Sequence, residues 1–99
     1  MTLRILGVAE DDLDRAFDYY ESQRRGLGVE MVEEFRRGVE RILEYPRAWQ
    51  ALDTKYRRCR LHRFPYGIVY RTDMAADHIT IVAVMHLSQK PGLPQARDR

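Results

Sequence analysis

The sequence holds a single cysteine, Cys59, among its 99 residues. One thiol cannot close an internal disulfide, so a disulfide-stapled secreted scaffold is excluded and a reducing compartment is expected. No apolar run approaches the roughly 20 residues that cross a bilayer. The opening MTLRILGVAEDD meets an arginine and then acids where a signal peptide would carry its apolar core. The expectation is a cytoplasmic protein without a membrane partner. No glycine-rich loop follows a strand, because Gly26-Leu27-Gly28 lies between two helical patterns, so a phosphate-cradling loop is not expected. No ligand-spaced set of Cys, Asp and Glu accompanies His62 and His86, and neither a metal nor a cofactor is expected.

Acid is scarce in one half of the chain. Residues 55–99 contain three Asp/Glu against nine Lys/Arg, a balance of +6, whereas residues 1–54 contain twelve against eight, a balance of −4. The net charge of +2 conceals this split. From Lys55 to Arg71 there are six cations (Lys55, Arg57, Arg58, Arg60, Arg63 and Arg71) and no acid at all. Solvated protein faces mix the two signs, so a run of one sign points to an anion, a nucleic acid or an acidic partner.

What is present reads as a small mixed fold. Thr2–Val8 is short, apolar and β-branched, and predicts a strand. Leu13, Ala16, Phe17 and Tyr20 then recur at i, i+3, i+4 and i+7, one stripe of a helix. Glu10, Asp11, Asp12 and Asp14 fall in its first turn and Arg24 and Arg25 in its last, as the helix dipole favours. These acids, with Asp18, read as capping and solvating groups. A second helix is expected over 29–44, with Val32, Phe35, Val39 and Ile42 buried, Leu43 beside them, and Tyr45-Pro46 ending it. Two helices joined by so short a break form an antiparallel hairpin. Strands are expected near 57–64, 66–72 and 78–86, with a tight corner at Phe64-Pro65. The order βααβββ predicts an α+β fold, a helical hairpin packed on one face of a small, mostly antiparallel sheet. A single domain spans residues 1–99, with 87–99 as an irregular tail.

Strand alternation gives the basic run a geometry. Cys59 and Leu61 point one way, and Arg58, Arg60 and His62 the other. The helical hairpin covers one face only, so the arginines are expected on the open face, with Arg71 and His86 extending it. Arg58, Arg60, His62, Arg63, Arg71, His86 and Lys90 are the candidate contacts for a target or partner. Phe17, Phe35 and Leu61 are expected in the core. Tyr66 and Tyr70 read as packing residues.

Four stretches in order carry a resemblance: AEDDLDRAFDYYESQRRGLG, Phe35 and Val39 before Pro46, HRFPYGIVYR, and IVAVMH. Over nearly the whole chain they resemble the RelE/ParE superfamily of bacterial type II toxins, also called plasmid stabilisation proteins. The resemblance implies a growth-inhibiting toxin with a cognate antitoxin, a small DNA-binding protein whose C-terminal segment wraps the toxin. It also implies one of two targets on the same fold. ParE-like members poison DNA gyrase. RelE-like members are metal-independent endoribonucleases that cut mRNA in the ribosome, using sheet cations and a C-terminal arginine with a tyrosine or histidine. Here Arg58, Arg60 and Arg63 match the sheet positions, but no arginine follows His86 until Arg97 and no tyrosine follows Tyr70. The chain is therefore the more ParE-like, without a catalytic set. The ribonuclease alternative would rest on His86, Arg63 and Arg60.

Overall fold

The computed structural model describes residues 1–89, Gly92 and Asp98. Strand β1 (Thr2–Ile5) leads into helix α1 (Gly7–Gln23), which is followed by helix α2 (Leu27–Glu44). Four strands follow: β2 (Gln50–Ala51), β3 (Tyr56–Arg60), β4 (Tyr66–Asp73) and β5 (His78–His86). The sheet order is β1-β5-β4-β3-β2. Among the described strands only β1 runs parallel to its neighbour, with Thr2 opposite His78 and Ile5 opposite Ile81. This is the expected α+β architecture, with β2 as an added two-residue edge. Lys90 and most of the tail expected over 87–99 lie outside the described residues.

The helical hairpin turns where the sequence permits a left-handed residue. Gly26 has φ +88°, a conformation that costs glycine little. Its N–H and that of Gly28 both donate to the Glu21 carboxylate, at 3.0–3.1 Å. That carboxylate satisfies donors that the start of α2 would otherwise leave open. The break therefore lies at Arg24–Gly26, earlier than the sequence pattern suggests, and Arg24 and Arg25 follow α1 rather than ending it.

Between hairpin and sheet lies the main core: Met31, Phe35, Val39 and Ile42 of α2 against Cys59, Ile68, Tyr70, Ile79, Ile81 and Val84. Phe35 and Leu61 are buried as expected. Phe17 is half-buried, packed so closely against Gly28 that a Cβ there would stand 2.8 Å from its ring. Leu43 is exposed rather than beside the stripe. A bulge shapes the sheet: Val69 pairs with Ala83 but Tyr70 pairs with Ile81, so Val82 is the extra residue. The bulge shifts the phase of β5 and turns Ile81 and Ile79, rather than Val82 and Thr80, toward the helices.

The far face of the sheet is not open. Tyr56, Val69, Val82, Ala83 and Met85 form a second buried cluster there, with Leu6 and Leu52 against it. Asp98 also reaches this side, bonded to Tyr56 and Arg71. The expectation of one bare face fails because β5 is apolar on both sides. Among the described residues no helix is long and apolar enough to cross a membrane.

Candidate functional site

The structure divides the basic run into members engaged within the fold and members left outside. Arg57 donates from Nη1 to the Trp49 carbonyl at 2.8 Å. Arg63 has φ +70°, which ends the strand alternation and turns its side chain toward the helical hairpin. There its Nη2 lies 2.6 Å from Glu30 Oε1, while Arg24 holds the other Glu30 oxygen at 2.8 Å. Those two hydrogen bonds, Arg63's first, hold the Glu30 carboxyl below its ordinary range. Arg71 donates to both oxygens of Asp98, whose Oδ2 also accepts from Tyr56 Oη at 2.8 Å. Burial pushes the Asp98 carboxyl up, but the bonds from Arg71 and Tyr56 outweigh it and leave it below its ordinary value.

Arg58, Arg60 and His62 do share one place. With Trp49 and Gln50 they line a cleft of about 290 Å³ at the β2–β3 edge. The Arg58 stem lies across Gly67, where a Cβ would meet Arg58 Cγ and Cδ at 2.7 Å, and Nη2 donates to Gln50 Oε1 at 2.9 Å. Gly67 is thus required by close approach, and Arg58 is as much a packing residue as a charge. The Arg60 carbonyl accepts from Arg41 Nη2 at 3.1 Å. Its guanidinium and the His62 ring have no hydrogen-bond or ion-pair partner among the described residues. Both are exposed.

His86 does not extend that surface. It pairs with Tyr66 across the ladder and faces the helix side, its ring 5.3 Å from the Tyr66 ring. Its Nδ1 accepts from the Ser88 backbone N–H at 3.1 Å, so the neutral ring carries its proton on Nε2. Around it lies a second cleft of about 300 Å³, lined by Asp12, Arg15, Tyr19, Tyr66, His86 and Gln89 among others. Sequence reading missed this grouping. Asp12 is no solvating acid: it is 7% exposed, accepts from the Val84 N–H at 3.0 Å and takes Arg15 Nη2 at 2.6 Å. The signal was available, since Ala9, Asp12 and Ala16 share one helical stripe. Burial pushes the Tyr66 phenol up, with Tyr19 and Asp12 adding to it. Lys90, the last candidate contact, lies outside the described residues.

The model of the ParE toxin of type II toxin–antitoxin systems matches residues 3–91. Toxin ParE2 of two Mycobacterium tuberculosis strains, CDC 1551 / Oshkosh and ATCC 25618 / H37Rv, is 35% identical over 95 residues, 95% of this chain and 89% of each relative. A solved structure described as the chromosomal ParDE TA system from P. aeruginosa has a TM-score of 0.75 at 19% identity, covering 87% of this chain and 95% of its own. That likeness shows a shared fold. With the family model spanning nearly the whole chain, the protein belongs to the ParE family of toxins of type II toxin–antitoxin systems.

Proposed function

We propose that this toxin inhibits growth by acting on DNA gyrase and is neutralised by a cognate antitoxin, a small DNA-binding protein with a toxin-wrapping C-terminal segment. Family membership supports an antitoxin, as does the solved relative, whose description names a ParDE pair. The observation that carries the gyrase reading is the separation of the groups RNA cleavage would need. Metal-free cleavage requires a base, an acid and cations around one phosphate. Arg60 lines the edge cleft, Arg63 is held by Glu30, and His86 stands on the helix side beside Tyr66. A surface that grips a protein needs no such convergence. The test is a supercoiling assay with purified gyrase, followed by addition of the antitoxin encoded beside the toxin. Inhibition relieved by that antitoxin is expected, with ribosome-bound mRNA left intact.

One observation favours the ribonuclease alternative. The tyrosine absent from the sequence after residue 70 is supplied in space, because Tyr66, Tyr19 and Arg15 share a cleft with His86. Codon-phased cuts in mRNA, abolished by His86→Ala and by Tyr66→Phe, would move the protein to that branch.

A further inference from the structure

Of the cations between Lys55 and Arg71, Arg57, Arg63 and Arg71 each donate to an acceptor within the protein. Among the described residues Arg60 and His62 do not, and Arg58 gives only Nη2 to Gln50. These three converge on the edge cleft, whose remaining lining residues are Trp49 and Gln50. Among the described residues the cleft has no acid in its lining, and Trp49, which also packs against the main core, lines it beside two arginines with apolar stems. Its volume of about 290 Å³ is at the bottom of the small-molecule range of about 300–1,000 Å³. An open site of that size suits one side chain of a larger partner.

From this arrangement we infer that the cleft receives a single large apolar side chain of an acidic peptide segment, with flanking carboxylates on Arg60, His62 and Arg58. The inference rests on the antitoxin reading above and gives that partner's contact a chemistry. An apolar anchor against Trp49 supplies buried area, and carboxylates over the cationic rim supply orientation and a fast encounter. Nucleic acid fits less well. A strand-tracking surface needs a row of free cations for successive phosphates. Here Arg57, Arg63 and Arg71 are withdrawn from such a row, leaving Arg58, Arg60 and His62 at the cleft and Lys55 apart from them over the Tyr56 ring.

Trp49 is the only tryptophan in the chain and lines the cleft, so a change in its emission on titration is the binding signal. The probe is a synthetic peptide with one leucine between two pairs of glutamates. Two control peptides replace the leucine by serine or the glutamates by glutamines, and a single-stranded RNA oligonucleotide forms a third arm. The acidic leucine peptide is expected to shift Trp49 emission, with both control peptides binding at least about tenfold more weakly. Arg60→Glu and His62→Ala, both at exposed positions, should weaken it further while far-UV dichroism and melting stay unchanged. Equal binding of the control peptides, or a stronger response to RNA, overturns the inference. So does a cognate antitoxin that neutralises the Arg60→Glu toxin as well as wild type, an outcome that leaves the antitoxin reading standing. Were no antitoxin to bind at all, that reading would fall, while the peptide titration would still decide the cleft.

Discussion

Asp98 is the sharpest place to perturb this molecule, because it joins the end of the chain to the far face of the sheet. Asp98→Ala leaves the Arg71 guanidinium without its carboxylate and the Tyr56 hydroxyl without its acceptor. Removing one partner of a fully buried ion pair costs about 3–5 kcal/mol. The Asp98 side chain is 6% exposed but that of Arg71 is 25% exposed, so water recovers part of the loss and about 2 kcal/mol is expected. In a domain of this size that lowers the melting midpoint by about 10 °C. The pH dependence has a definite sign. The Asp98 carboxyl is lowered in the folded state. Its contribution is therefore fully present above the unfolded value of about 3.9 and is lost as pH falls through the lower folded value. Thermal melts followed by far-UV dichroism should show the full difference between wild type and Asp98→Ala at neutral pH. The two curves should converge in acid. A loss below about 2 °C at neutral pH, or a difference that widens on acidification, would refute the argument.

Two other outcomes follow from burial. Phe35→Ala and Leu61→Ala should each cost about 2–5 kcal/mol, enough to unfold much of a small domain near 37 °C, as urea titrations would report. Both side chains lie between hairpin and sheet, 8% and 6% exposed, so melts within a few degrees of wild type would contradict the packing. Cys59 should resist alkylation by iodoacetamide until the protein unfolds. Burial pushes its thiol up, more than the Arg41 bond pulls it down, and only the thiolate is reactive. Mass spectrometry of the native protein after labelling gives the answer.

Charge reversal of the basic strand needs a structural qualification. From alternation alone, Arg58 and Arg60 look equivalent. In the fold, the Arg58 stem packs on Gly67, so Arg58→Glu perturbs the sheet as well as the charge. Arg60 is exposed with its guanidinium free among the described residues, which makes Arg60→Glu the clean test.

The sequence by itself determined the parts governed by local periodicity and composition. Stripes at i, i+3 and i+4 specified two helices. The short break at Gly26 specified their antiparallel pairing, because neighbouring apolar stripes joined by so few residues can only fold back on each other. Alternation around Cys59 and Leu61 specified which side of β3 faces them. The order of elements, with HRFPYGIVYR and IVAVMH, was enough to suggest the superfamily. Tertiary structure alone decided the rest, because those features depend on residues far apart in the chain. The run Ile79–Met85 is buried on both faces, so its alternation is erased and the bulge at Val82 leaves no trace in the pattern. That hidden phase decides which side of the sheet each β5 residue occupies. Arg63 leaves the strand pattern because a positive φ and the Glu30 carboxylate turn it aside. Asp98 selects Arg71 and Tyr56 from 27 and 42 residues away. Charge counting places six cations on one stretch; only ion pairing in three dimensions decides which are left for a partner.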